Sequence, residues 1–304
     1  MLKRIFLFLL VNCLVLVTIN ITLSLFQIKP YLSRGGINYQ SLLLFCAIIG
    51  FSGALISLAL SRWMARFSLG VELIDPRNPG GTNAEMLLQM VYRLSEKAGL
   101  PAYPQVGIYQ SPEVNAFATG PSRSRSLVAV SSGCLEQMDE EALEGVLGHE
   151  ITHVANGDMV TMTLLQGVVN TFVLFFAKIA AWALSQAMAG NRDRDEGPNP
   201  LIYMLSDIAF QICFSLLGSI VVLAFSRWRE YRADRGGAKL AGKTRMIHAL
   251  ESLGRATEEV DPRAPALAAF KISSGKQTSA FMQLLRSHPP LELRIEALKR
   301  LSLP

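Results

Sequence analysis

Charge is what this chain has little of. Only 17% of its 304 residues are Asp, Glu, Lys or Arg, whereas about a quarter are charged in an ordinary soluble domain. The deficit is concentrated in four apolar stretches, and a bilayer is crossed by about 20 such residues. They are residues 5–28, 35–61, 159–177 and 208–226. We therefore predict a mainly helical membrane protein with about four membrane-embedded helices.

Cysteine is also scarce and carries no pattern. Three of the four cysteines lie in the apolar stretches, Cys134 stands alone, and no CxxC pair occurs. This excludes a disulfide framework and a thiolate zinc site. No basic patch with interleaved aromatic residues is present either, so no nucleic-acid partner is expected; the expected surroundings are a lipid bilayer.

The orientation follows from Lys and Arg near the ends of the apolar stretches. These residues are Lys3, Arg4, Arg62, Arg66, Arg227, Arg229, Arg232 and Arg235. They place both termini and residues 62–158 in the cytoplasm. Residues 5–28 could instead be a signal peptide, but no small-x-small cleavage site follows, and the apolar run exceeds a typical signal. An uncleaved anchor is favoured.

Four segments result from this topology. Residues 1–61 form an N-terminal membrane hairpin, and residues 62–158 a cytoplasmic catalytic part. Residues 159–226 form a second hairpin, and residues 227–304 a second cytoplasmic part. The first cytoplasmic part has the composition of a small α+β domain. It contains an amphipathic helix at 83–98, β-type runs at 105–109 and 126–130, and between these runs a candidate edge strand at 115–120.

The strongest chemical signal is His149-Glu150-Ile151-Thr152-His153. On a helix, the two histidines lie one turn apart on the same face and can bind one metal ion. Glu150 can then act as general base on a water whose pKa the ion lowers from 15.7 to about 7. Since the motif specifies only three residues, an accidental match on a solvated helix is the alternative.

A catalytic zinc site needs a third protein ligand. The metzincin position holds Met159, not histidine, which excludes that class. Asp158 is the nearest acid, but a continuing helix would point it away from the histidine face. Glu230 is the better candidate, because a two-helix hairpin returns it to the same membrane face. Asp234 lies one turn further on and could accept the ring N–H of a ligand histidine. The alternative is that both acids pair with neighbouring arginines.

Two further features concern the substrate. His288 precedes two prolines, which suits a rigidly held donor to an oxyanion, although an ordinary loop histidine would look the same. A peptide could add as a strand along the candidate edge strand through main-chain hydrogen bonds. Its predicted contacts are Asn115, Ala116, Phe117 and Ala118.

At these residues the chain resembles the HtpX family of bacterial membrane zinc endopeptidases, which is of the same broad family as the CAAX prenyl proteases. The matching segments run in order along the chain: 115–120, 148–153, 156–161, 225–234 and 287–290. The resemblance implies a gluzincin-like catalytic domain with one Zn²⁺ on His149, His153 and Glu230. It also implies Glu150 as the catalytic base and Asp234 as the acid that hydrogen-bonds to a ligand histidine. His288 and Arg294 are implied to lie near the substrate oxyanion.

The implied activity is cleavage of misfolded or damaged membrane proteins at the cytoplasmic face of the inner membrane, with other quality-control proteases as candidate partners. Two other readings stay open. One is a prenyl-protein processing protease, for which about seven membrane helices would be expected. The other is a transporter or metal-sensing scaffold, which would have no need of a free carboxylate at Glu150.

Overall fold

The computed structural model describes residues 17–18, 21, 32–33, 36–189, 200–258 and 288–302. The membrane helix predicted at residues 5–28 lies almost wholly outside them. The helices in the described part are α1 Tyr39–Leu69, α2 Thr82–Lys97, α3 Ser132–Gln137, α4 Glu140–Asn156, α5 Asp158–Ala189, α6 Pro200–Leu240, α7 Lys243–Glu258 and α8 Leu291–Lys299. The strands are β1 Leu32–Ser33, β2 Gly36–Ile37, β3 Glu72–Leu73, β4 Gln105–Tyr109, β5 Ala116–Ser122 and β6 Arg125–Ser131.

The predicted fold class is confirmed: the chain is mainly helical, with membrane-length helices and a small sheet. Three helices of the described part are long and apolar enough to cross a bilayer: Tyr39–Leu69, Asp158–Met188 and Pro200–Leu240. Their apolar side chains are largely exposed, as for Phe172, Ile212 and Leu216. Such exposure fits contact with lipid, since soluble proteins rarely expose large apolar patches.

The contacts divide the chain into two compact units. The first comprises Met1–Ala59 and Thr161–Val222. Within it, α1 and α5 approach closely at small residues: a Cβ built on Gly50 would lie 2.7 Å from the Thr171 backbone nitrogen, which is typical of membrane helix pairs. Lys178 Nζ donates to Asp207 Oδ2 at 3.0 Å and so joins α5 to α6.

The second unit comprises Leu60–Val160 and Leu223–Pro304 and holds the mixed four-stranded sheet, in the order β3-β4-β6-β5. Strands β4 and β6 are parallel, while β5 runs antiparallel to β6 with Ala116 opposite Val130. One side of β5 therefore has no strand partner within the described residues, as the edge-strand prediction required. The pairing shifts register at Gly120, whose φ of 142° suits glycine.

The helix α4 carries the HExxH motif and has strong signals at both ends. Asp139 caps its start, because its Oδ1 accepts from the Ala142 backbone N–H at 2.8 Å. Gly157 ends it in the left-handed conformation with φ 69°. The buried carboxylate of Glu144 accepts from Arg93 Nη2 of α2 at 2.9 Å and pairs with Arg245 Nη1 of α7 at 3.1 Å. These ion pairs tie α4 to two neighbouring helices.

Glycines let α4 and α6 cross almost backbone to backbone. A Cβ on Gly237 would lie 3.0 Å from the His149 backbone nitrogen, and one on Gly236 would lie 2.1 Å from Thr152 Cγ2. The helical pattern of residues 238–253 in the sequence predicts one continuous helix, but the chain breaks at Gly242, with φ 107°, between α6 and α7. The reason is that Gly242 leaves the helical region of backbone space.

Candidate metal centre

The structure brings the three predicted ligands together. His149 and His153 come from α4 and Glu230 from α6, and one donor atom of each lies within 4.8 Å of the others. All three are buried, with exposures of 8%, 8% and 1%. The histidine Nε2 atoms are 3.1 Å apart, and they lie 3.4 and 3.5 Å from the Glu230 carboxylate oxygens.

These distances fit a zinc ion. Two ligands bound tetrahedrally at about 2.0–2.1 Å are themselves about 3.3–3.4 Å apart, close to the separations found here. Two imidazoles and one carboxylate are also the protein ligands of one known class of catalytic zinc sites. The donor set and its separations therefore fit a catalytic zinc site of this class.

Both histidines direct Nε2 towards Glu230, because a carboxylate hydrogen-bonds to the other ring nitrogen, Nδ1, of each. His149 Nδ1 lies 3.0 Å from Asp234 Oδ1, and His153 Nδ1 lies 2.7 Å from Asp158 Oδ2. Since an ionised carboxylate only accepts, each Nδ1 carries the proton and donates it. This arrangement orients a metal-binding imidazole.

The sequence predicted that Asp158 points away from the histidine face of the helix. This prediction was wrong, and the error has a structural cause. It assumed that the helix of the motif continues past His153. Instead Gly157 turns the chain, α5 starts at Asp158, and the carboxylate returns to the His153 ring. The Asn156-Gly157 pair was the signal that could have predicted this, because glycine commonly ends helices in that conformation.

Arg294 lies on Asp234. Its Nε donates to Asp234 Oδ2 at 2.8 Å and its Nη2 to Oδ1 at 2.6 Å. The Arg294 residue is 6% exposed, and Nη2 is 3.7 Å from Glu230 Oε2. The resemblance implied a place near the oxyanion, whereas this bidentate pair holds the carboxylate behind His149.

His288 and Glu150 face the open side of the centre. His288 Nδ1 lies 2.9 Å from Glu230 Oε2, and its side chain is 52% exposed. A cavity of about 130 Å³ is lined by Glu150, His288, Asn115, Ala116 and Arg294, together with two of the predicted ligands, His149 and Glu230. The start of the edge strand thus borders the same cavity as the predicted base, while Phe117 packs on Tyr109 and Ala118 lies against the core.

The carboxylates also change the electrostatics of the histidines. Burial disfavours the imidazolium of His149, but hydrogen bonds with Asp234 and Glu230 outweigh burial and raise its pKa from 6.5 to about 9. Burial likewise opposes the charged form of His153, and the bonds with Asp158 and Glu230 raise its pKa. Before metal binds, these rings hold protons firmly.

Comparison with known proteins identifies the family. The model of "Peptidase family M48" matches residues 82–302. The chain belongs to peptidase family M48. It is similar to the "Protease HtpX homolog" of Bacillus licheniformis, at 52% identity over 98% of this chain and 99% of that one. It is also similar to the "Protease HtpX" of Nitrosococcus oceani, at 48% identity over the same shares.

The fold of this M48 peptidase is shared more widely. The crystal structure of Ste24p from S. mikatae matches with a TM-score of 0.65 at 16% identity, covering 98% of this chain and 64% of the other. This likeness concerns the fold. With the family, the membrane-length helices and the buried His/Glu group, the chain is a membrane metallopeptidase.

Proposed function

We propose that this M48 peptidase is a zinc-dependent endopeptidase that cleaves misfolded or damaged membrane proteins at the cytoplasmic face of the bacterial inner membrane. The observation that carries the proposal is the convergence of His149, His153 and Glu230 at zinc-binding distances, with His149 and Glu230 lining the same cavity as Glu150. A site that only stored metal would have no use for Glu150.

Each residue has a task that its position supports. Zinc, when bound, supplies a Lewis acid that polarises the scissile carbonyl and acidifies the attacking water. Glu150 takes the proton of that water and passes it to the leaving amine. His288, on the open side of the cavity, donates to the oxygen that becomes negative. Arg294 and Asp234 hold His149 in place, and Asp158 holds His153.

The substrate is held through its main chain. A peptide that pairs with the outer side of β5 from Asn115 to Ala118 would pass directly over the cavity. Main-chain pairing requires no particular sequence, which suits a protease of damaged proteins. The clusters of arginine and lysine at the ends of the apolar stretches support the cytoplasmic side.

The test separates the base from the ligands. Full-length protein is purified in detergent without metal, zinc is added, and casein cleavage is followed together with bound zinc. Glu150→Gln should keep stoichiometric zinc while turnover falls by at least about 10²–10⁴-fold. Glu230→Ala should lose both bound zinc and turnover. Its zinc affinity should fall by more than the about 10–100-fold that is typical when a residue hydrogen-bonded to a metal ligand is removed.

Two results would count against the proposal. If Glu230→Ala kept full zinc and full activity, Glu230 would not be a ligand. If Glu150→Gln, free of contaminating protease, cleaved casein as fast as the unmodified protein, Glu150 would not be the base. Glu292→Gln, a conservative change at an exposed position of α8, is the matched control and should behave as wild type.

A further inference from the structure

The part of α6 that follows its apolar stretch carries three exposed side chains that the proposed chemistry does not use. They are Trp228, which is 51% exposed, and the exposed Arg232 and Arg235. Their spacings of four and three place them on one face of the helix. Glu230 and Asp234 are 1% and 2% exposed and lie on the opposite face. The same short stretch of α6 therefore serves the metal centre on its buried side and presents two cations on its exposed side.

Arg232 is held by its neighbours and still has donors available. Its Cζ lies 4.7 Å from the centroid of the Trp228 ring, which is a cation–π contact. Its Nη2 donates to Asn156 Oδ1 at 3.4 Å. Neither Arg232 nor Arg235 forms an ion pair with any residue that the structure describes. Since a guanidinium has five N–H donors, this face of α6 can bind an anion.

The position of these residues along α6 indicates which anion they meet. The uncharged stretch ends at Ser226. Counted from there at about 1.5 Å per residue, Trp228 lies about 3 Å, Arg232 about 9 Å and Arg235 about 14 Å further along the axis. Helix side chains tilt towards the N-terminus, here back towards the membrane. Trp228 and both guanidinium groups can therefore reach the lipid headgroup layer, which is about 5–8 Å thick.

The helix α1 shows the same combination just beyond its own apolar stretch. Trp63 is 42% exposed and stacks on Phe67 at 5.2 Å, with Arg62 and Arg66 beside them in the sequence. Tryptophan at the end of a membrane helix is typical of the boundary between hydrocarbon and water, and arginine beside it attracts anionic lipids. An acidic protein partner would have no need of an exposed tryptophan on both helices. A lipid surface accounts for both.

We propose that Arg232 and Arg235, together with Trp228, bind the phosphate headgroup of an anionic phospholipid, and that this contact fixes the segment of α6 that carries Glu230. Arg232 pairs with two phosphate oxygens, while the Trp228 ring lies beside the upper part of the acyl chains. The binding itself does not depend on the proposed protease function. Its effect on turnover rests on that function, because Glu230 is there a ligand of the metal.

The experiment uses Trp228 as the reporter of its own surroundings. In full-length protein with Trp63→Phe and Trp182→Phe, Trp228 is the only tryptophan left. The protein is placed in phosphatidylcholine vesicles with a rising proportion of brominated phosphatidylglycerol, which quenches tryptophan fluorescence on contact. Half of the maximal quenching should need at least about 5-fold less of this lipid than of brominated phosphatidylcholine in phosphatidylglycerol vesicles, since one arginine near an anionic surface changes binding by about 5-fold. Inorganic phosphate in solution should not compete, because it lacks acyl chains.

Variants in this background test the arginines. Arg232→Gln should reduce the preference for phosphatidylglycerol by about 5-fold. Arg232→Lys keeps the charge but loses the planar fork, so it should recover only part of the preference. Lys239→Gln is the matched control, because Lys239 is exposed on the same face of α6 but lies about 10 Å further from the membrane. It should quench like the unmodified background. Arg235→Gln should act in the same direction as Arg232→Gln and replaces it if that variant fails to fold.

The outcomes separate the lipid site from its effect on the enzyme. Equal quenching by the two brominated lipids would overturn the site, and so would competition by inorganic phosphate. Unchanged preference in Arg232→Lys would reduce the site to unspecific attraction of charge, which contradicts the proposal.

Casein turnover by the zinc-loaded protein should be higher in vesicles with phosphatidylglycerol than in phosphatidylcholine alone, and Arg232→Gln should lose this gain. Lipid preference without any change in turnover would overturn the anchoring of Glu230. If casein were cleaved in neither kind of vesicle, it is the proposed protease activity that would fail, and the quenching would still decide the lipid site.

Discussion

At the scale of single residues, two carboxylates that do not line the cavity hold the histidines of the centre. Asp234 and Asp158 each accept a histidine ring proton, at 3.0 and 2.7 Å. Replacing either by asparagine keeps the shape but allows the ring to turn. We expect Asp158→Asn and Asp234→Asn each to weaken zinc binding by about 10–100-fold, measured by competition with a fluorescent chelator.

The Asp234 variant should have a second effect that Asp158→Asn lacks. Arg294 makes its bidentate pair with Asp234, so the substitution also leaves a buried guanidinium without its counter-charge. Its thermal unfolding temperature should fall further than that of Asp158→Asn. Equal stability of the two variants would show that the Arg294 pair contributes nothing to folding.

The raised pKa of His149 predicts how zinc binding varies with pH. A raised pKa means that the metal-free protein is stabilised by the proton, fully below 6.5, and that this stabilisation is lost as the pH rises through about 9. Zinc needs the neutral ring, so it must displace that proton. The zinc affinity should therefore rise from pH 6.5 to about 9, with protons released on binding in weakly buffered solution. A zinc affinity that did not change between pH 6.5 and about 9 would contradict the prediction.

At the scale of elements, the crossing of α4 and α6 sets the distance between the histidines and Glu230. A Cβ on Gly237 would meet the His149 backbone at 3.0 Å and the Met246 sulfur at 2.7 Å. Gly237→Ala must therefore push the helices apart, and a shift of a few tenths of an ångström enlarges the separation of Glu230 from both histidines. We expect lower stability, by about 1–3 kcal/mol as for other overpacked cores, and weaker zinc binding.

Gly254→Ala is the control for this prediction. Gly254 also lies inside a helix, α7, but the nearest atom to its built Cβ is Leu291 Cδ1 at 3.6 Å, an ordinary contact. Alanine should therefore stabilise α7 by about 0.5–1 kcal/mol through the helix preference alone. If both glycine variants behaved alike in denaturant titrations, close packing at the crossing would not be the cause.

The second element-scale prediction concerns α5 and α6 in the membrane unit. Lys178 and Asp207 pair at 3.0 Å with side chains only 12% and 14% exposed. Lys178→Met leaves a carboxylate buried without this counter-charge and should cost about 3–5 kcal/mol, whereas Lys178→Met with Asp207→Leu should recover most of the loss. Thermal unfolding in detergent measures both, and a double variant as unstable as the single one would refute the pairing argument.

At the scale of the whole molecule, the mechanism requires the catalytic unit to face the cytoplasm. Positive residues at the ends of the apolar stretches favour this proposed orientation. A cysteine at Asn83, which is exposed on α2, should resist an impermeant thiol reagent applied to intact cells lacking the native cysteines. A cysteine at Gly35, the first residue of the second apolar stretch, should react. Labelling at Asn83 from outside would overturn the cytoplasmic assignment.

Much of this protein could be predicted from local sequence, because its strongest patterns each lie within a single helix or strand. The one-turn spacing of His149 and His153 puts both on one helix face whatever surrounds them. The apolar stretches in α1, α5 and α6 are each continuous, so their length alone indicates helices that cross a bilayer. The edge strand β5 was likewise predictable, because turn residues bound the runs on both sides.

Only the tertiary structure decided how these elements meet. The sequence favoured Glu230 among several acids, but its distances of 3.4 and 3.5 Å from the histidines depend on the glycine crossing of α4 and α6. The places of Asp158 and Arg294 depend on the turn at Gly157 and on a helix 145 residues beyond His149. Spacing along the chain determines what shares one helix face; which distant groups complete a centre is determined by packing, to which every contacting element contributes.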